Sequence, residues 1–280
     1  MRIRIRRTLL CLAAILAAGW PAGADAQDKP VDEVVVEGRA EKQLDQMLQT
    51  FAPSRSGHQM ARWDRRVCTR IYGLEPVHAA FVKERIDALA DQVGLGAAKS
   101  PHCVPDIVIA FTLDADAVTA GLIKRHPELV GDIDFGEVTA RTKAAYLAPH
   151  PVRWFGQDWN KVVDLTSASR IKTNSLRVIS TTVSVVDLTK LDGINWGQLA
   201  DFLGFVSLSR PRFDHVYSDP GTVLSLFTAR DLGKPIPAGL TALDSSFLTN
   251  LYKTQARQTA EHQQQDIRRH VKADLAKAAN

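Results

Sequence analysis

The 280-residue sequence predicts an α+β fold: a mixed, twisted sheet with helices packed on it and a long C-terminal helix. Three observations carry this. Strand-like apolar runs alternate with stretches of helical period between residues 67 and 186. A segment apolar on every side follows from Asn195 to about Ser209. From Thr241 onward helix formers continue while apolar residues thin out.

Taken in order, Val67 to Tyr72 reads as a strand closed by Gly73. Pro76 suits the first turn of a helix, in which Val82, Ile86, Leu89 and Val93 recur at helical spacing until Gly94. Pro105 precedes Asp106 to Thr112, a nearly continuous apolar run expected to be a strand buried on both faces. Asp114 is placed to cap a helix through Val118, Leu122 and Ile123, which His126-Pro127 stops. Val152 to Trp159 and the Val-, Ile- and Thr-rich Leu176 to Val186 are two further strands. Asn195 then opens the apolar helix, whose length and hydrophobicity put it in the middle of the domain, with Pro211 after it. An irregular stretch runs from Pro220 to Gly239, and Thr241 with Asp244 three residues on begins the final helix. Its first turns, with Phe247, Leu248, Leu251 and Tyr252, dock. Residues 253–266 are nearly devoid of apolar side chains, so 254–280 is expected to project, carrying a late stripe of Ile267, Val271 and Leu275. The expected organisation is a leader (1–26), a flexible arm (27–60), one core domain (61–253) and the projecting helix (254–280).

The leader has the three parts of a secretory signal: Arg2, Arg4, Arg6 and Arg7, an apolar run from Leu9 to Trp20, and Ala24-Asp25-Ala26 as a small-x-small cleavage site. The apolar run is too short to cross about 30 Å of hydrocarbon as a helix. The expectation is therefore cleavage after Ala26, a periplasmic or secreted product, and no stable membrane insertion afterwards. Losing four Arg and one Asp with the leader lowers 35 basic and 31 acidic side chains to 31 and 30, a net charge of +1. A balance so close to neutral argues against nucleic acid as a partner, which calls for a concentrated basic face. Two cysteines remain, Cys68 and Cys103, and in an oxidising compartment an even pair reads as a disulfide.

No standard catalytic constellation is present: there is no G-x-S-x-G elbow, Walker loop, dinucleotide fingerprint or H-E-x-x-H. The eight histidines do not pair at ligand spacing, so no metal and no cofactor is expected. Asp201 with His215 is one candidate base, with Ser207 or Ser218 as nucleophile. Trp154 and Trp159, flanking Gly156, form either an aromatic groove with His215 or part of the core.

Two resemblances add to this. Val31-Asp32-Glu33-Val34-Val35-Val36-Glu37-Gly38 is similar to the segment that opens many mature outer-membrane TonB-dependent receptors, which implies an edge strand or arm and an envelope partner. Gly197-Gln198-Leu199-Ala200-Asp201-Phe202-Leu203-Gly204, the sheet order before it, and the segments Gly221–Phe227 and Gly239–Tyr252 after it resemble a degenerate zincin, covering roughly residues 61–253. In that alignment Gly197 and Asp201 stand where the two zinc-binding His would be and Gln198 where the catalytic Glu would be. Glycine supplies no ligand, and a Gln amide cannot take a proton as a carboxylate does. The resemblance thus implies an exported, zincin-like envelope protein that has lost zinc chemistry and keeps a groove for a peptide or protein. A different reading makes Asn195 and Gln198 a capping box and Asp201 a tie to a neighbouring loop. The competing functions are an envelope hydrolase with a non-zinc site, and a structural protein that self-associates through its C-terminal helix.

Overall fold

The computed structural model describes residues 41–48, 59–130, 140–163 and 172–279. The leader, the segment Val31–Gly38 and the break at 53–57 lie outside the described residues.

The order of elements is α1 (41–48), β1 (Thr69–Tyr72), α2 (Pro76–Gln92), β2 (Ile107–Thr112), α3 (Ala115–Arg125), α4 (Ala140–Leu147), β3 (Val152–Val162), β4 (Ser175–Asp187), α5 (Trp196–Ser209), α6 (Leu226–Asp231), α7 (Ala242–Lys253) and α8 (Ala260–Ala279). The strands form one sheet in the order β1-β2-β4-β3, with β1, β2 and β4 parallel and β3 an antiparallel edge. This is the mixed sheet of an α+β protein, in the β-α-β-α-β-β order expected, with α4 the element the sequence reading lacks.

The local signals explain the boundaries. Pro76 sits in the first turn of α2. Gly73, at φ +81°, turns the chain out of β1 so close to the Phe111 carbonyl that a Cβ would collide with it. Asp114 accepts from Ala117 N at the start of α3. Asn195 with Gln198 and Thr241 with Asp244 both form reciprocal capping boxes.

Period-2 alternation then divides the sheet. Ile107, Ile109 and Phe111 of β2, with Val186, Val152 and Trp154, join the large core that α2, α5, α6 and α7 complete. Phe155 and Val185 point the other way, into a smaller cluster with Ala115, Ile123 and Tyr146. The central helix α5 buries every residue from Gln198 to Ser209. Each of its fully buried Phe and Leu side chains is worth about 1.5–3 kcal/mol of transfer free energy.

Several expectations are corrected. β2 is buried on one face and half-buried on the other, because α3 and α4 cover the β4–β3 half of the second face. Val67 makes only an isolated bridge to Ala97, so β1 begins at Thr69. The arm is not wholly free: α1 seats Leu44, Met47 and Leu48 in the main core, and Asp45 and Glu41 pair with Arg268 and Lys272 of α8.

The C-terminal helix does not project. The chain breaks after Lys253 and returns as α8, whose Ile267 and Val271 are fully buried. Three buried polar side chains fix that turn. Arg62 donates to Leu251 O and Thr254 O. Gln59 donates to Ala256 O and Gln258 O. Gln263 donates to Ala256 O and accepts from Met60 N. Arg62 thus satisfies carbonyls that the end of α7 leaves open, and Gln59 and Gln263 satisfy those of the turn that follows. Polar residues around 255–263 therefore mark a buried network, which pattern reading takes for solvent exposure.

Cys68 and Cys103 are bonded and staple the start of β1 to the loop before β2. In the chain-entropy model a loop of this length is worth about 4 kcal/mol. Among the described residues, no helix is long and apolar enough to cross a membrane.

Candidate functional site

α5 carries the positions singled out by the sequence, and the structure gives each a structural occupation. Gln198 accepts from Asn195 N at 3.0 Å and donates to Pro237 O at 2.7 Å. Asp201 is buried and takes a two-pronged ion pair from Arg85 of α2, Nε to Oδ1 at 2.5 Å and Nη2 to Oδ2 at 2.9 Å. Leu240 N donates to the same Oδ2 at 3.0 Å. Gly239 lies so near that a Cβ there would overlap Oδ2. Asp201 thus ties α2, α5 and the loop before α7, and Gly197 adds no side chain. Among the described residues, no group of three His, Cys, Asp or Glu is arranged to hold a metal ion.

The base–nucleophile candidates separate. Ser207 is fully buried within α5, and the bonding partners of Asp201 do not include His215. His215 and Ser218 do share a cleft of about 290 Å³, between α1 and the loop 215–222, with Gln43, Met47 and Asp219. Asp219 accepts from Gln43 Nε2 and from Gly221 N. Burial, aided by Arg212, lowers the His215 pKa from its ordinary value, while Asp214 opposes the shift.

The tryptophans separate too. Trp154 is buried, donates from Nε1 to Pro211 O at 2.7 Å and meets Phe202 and Phe213 edge-on. Trp159 is exposed near the far end of β3. The first is core, the second surface, and they do not form one aromatic groove with His215.

What sequence reading misses lies beside Trp154. Arg210, the C-cap of α5, has φ +49°, the one positive φ at a non-glycine position among the described residues. Pro211 behind it disfavours continued helix. The guanidinium is about nine-tenths buried; it pairs with Asp158 and donates from Nη2 to Gly156 O at 2.6 Å. Asp158 also accepts from Arg177 Nη2 at 3.2 Å. Burial lowers the Arg210 pKa, and Asp158 opposes this most strongly. Gly156 is needed, since a Cβ would stand 2.8 Å from Arg210 Nε and 3.1 Å from Thr181 O. A β-bulge follows between Gln157 and Asp158. The sequence did hold one signal: an isolated glycine inside a strand marks a bulge or a close approach.

A small cavity of about 60 Å³ opens here, lined by Tyr146, Trp154, Phe155, Gly156, Arg210 and Phe213 among others. Tyr146 stacks between Phe155 and Phe213 at ring separations of 4.5 and 4.2 Å. At the rim Arg212 holds Asp214 in a two-pronged pair.

No family model, curated protein or solved structure matches this chain.

Proposed function

We propose that the chain is an exported bacterial envelope protein, periplasmic or secreted, that binds a peptide or protein partner on a zincin-like scaffold without zinc catalysis. The observation that carries this reading is the bonding of Asp201 and Gln198. In the zincin alignment these residues fall at a metal-ligand position and at the general-base position. Here their oxygens accept from Arg85, Leu240 N and Asn195 N, bonds that hold helices together. The zincin-like scaffold draws support from the antiparallel edge strand β3 and from the central helix that follows β4. Export draws support from the charged, apolar and small-residue parts of the leader and from the bonded cysteine pair.

The test pairs chemistry with binding. The purified chain, with and without added zinc, is incubated with casein and a peptide mixture, and its retention of peptides from an array is measured in parallel. The expected result is selective retention with no cleavage. Cleavage abolished by a chelator, or an array without any selective retention, refutes the proposal.

A second reading, an envelope hydrolase, draws on His215 and Ser218 sharing one cleft. It requires turnover of an ester, peptide or glycan that Ser218→Ala removes while the fold is kept.

A further inference from the structure

Several costly features converge at the middle of β3. Arg210 is held in a backbone conformation that non-glycine residues seldom adopt. Its guanidinium and the Asp158 carboxylate are withdrawn from water. Gly156 stands where any side chain would displace that guanidinium, and the strand bulges just beyond it. Together they fix one cation against the wall of a cavity partly lined by aromatic rings. A guanidinium has five N–H donors. That of Arg210 has two acceptors among the described residues, Asp158 and Gly156 O.

The cavity decides the size of what enters. Sites for drug-sized molecules run to about 300–1,000 Å³. One of about 60 Å³ takes a group of a few atoms. Arginine donors are matched by a planar anion, and the carboxylate is the one a peptide carries. The stacked Tyr146, Phe155 and Phe213 give part of the wall an apolar surface for the carbon next to such a group, while Thr142, Arg212 and Asp214 make the remainder polar, with Arg212 holding the Asp214 carboxylate.

We propose that the cavity between Arg210, Gly156 and the Tyr146–Phe213 stack is a recognition pocket for a peptide carboxylate, either a chain terminus or an Asp or Glu side chain. This rests on the binding reading above and names the chemistry of its ligand. Asp158 is a positioning residue: it orients Arg210 and does not touch the ligand.

The experiment has two arms on the full, folded protein. In the first, acetate is titrated at constant ionic strength while the Arg210 Nε–Hε resonance is followed by NMR. A saturable shift with a dissociation constant on the order of millimolar is expected for so small a probe. The same titration of Gly156→Ala, whose methyl group presses on Arg210 Nε, is expected to lose it. In the second arm, peptides retained by the protein are remade with an amidated C-terminus, or with Gln and Asn in place of Glu and Asp. Loss on amidation assigns the terminus, loss on side-chain neutralisation assigns Asp or Glu, and Arg210→Lys weakens retention at least tenfold. The absence of an acetate shift in a folded protein overturns the pocket. So does peptide retention indifferent to both carboxylate changes and to Arg210→Lys, although that outcome leaves the binding function standing. An acetate site in a protein that retains no peptide removes the peptide as ligand and the binding function with it.

Discussion

If Asp201 is a structural tie, its removal and the crowding of its neighbour Gly239 must be coupled, and a double-mutant cycle measures that coupling. Asp201→Ala deletes both prongs of the Arg85 pair and leaves Leu240 N without its acceptor. About half of the Arg85 side chain is exposed, so water replaces most of what it loses and the ion pair itself contributes at most about 1 kcal/mol. The orphaned backbone donor adds about 1–2 kcal/mol, for a total near 2. Gly239→Ala alone puts a methyl group onto Asp201 Oδ2, an atom held from two sides, and costs about 1–3 kcal/mol. In the Asp201→Ala background the obstacle is gone. The same substitution then costs nothing, and stiffening the unfolded chain returns up to about 1 kcal/mol. The two changes are thus less than additive by about 1–4 kcal/mol. Urea unfolding followed by tryptophan fluorescence reads this directly. In a domain of this size each kcal/mol also moves the melting temperature by about 2–4 °C. Strict additivity, or an Asp201→Ala protein as stable as the parent, would show that the carboxylate is not pinned between α2 and the loop before α7.

Three further outcomes are expected. Burial pushes Asp244 up to about 6, against the donors Thr222, Val223 N and Thr241 that pull it down. A folded pKa above the unfolded value of about 3.9 means the folded state takes up the proton first. Stability contributed by Asp244 therefore falls, by about 3 kcal/mol, as pH rises from roughly 4 to 6. His150 and His215, whose pKa values burial lowers, act in the opposite sense and lose stability on acidification. The check is accordingly the difference between parent and Asp244→Asn urea midpoints at pH 4.5 and 7.5, and a pH-independent difference contradicts the assignment. Reducing the Cys68–Cys103 bond, or replacing both with Ser, is expected to cost up to about 4 kcal/mol, checked by melting with and without reductant. Deleting residues 254–280 uncovers the sites of Ile267 and Val271 and removes the acceptors Thr254 O of Arg62 and Ala256 O and Gln258 O of Gln59, so the truncated chain is expected to unfold or aggregate. A truncated protein with the parental melting temperature would restore the projecting helix.

Residue pattern and physical cost explain which parts of this molecule were legible beforehand. The strands β2 and β4, the helices α2, α3 and α5 and both capping boxes depend on neighbours within a few residues, and there sequence and structure agree. Pattern misplaces α8 because its contacts are long-range: Gln59 and Gln263 are polar, yet buried because Gln59 donates to the carbonyls of Ala256 and Gln258 and Gln263 accepts from Met60 N, each across most of the chain. Hydrophobic pattern cannot distinguish that from solvent exposure. α1 is the same case: the apolar side chains Leu44, Met47 and Leu48 of its described residues matter only once α8 and the main core are beside them.

The candidate site divides along the same line. The absence of imidazole and carboxylate at Gly197 and Gln198 is a property of residue types and is plain in the sequence. That Asp201 faces Arg85, 116 positions away, is not. Nor is the Arg210 pocket, which needs three distant facts at once: a left-handed residue ending α5, a glycine in β3 that admits its side chain, and Asp158 to hold it. Gly156 alone announced that something must approach the strand. There the edge strand bulges and takes in a buried arginine from the left-handed end of α5, and the carboxylate pocket proposed above gives that costly arrangement a use.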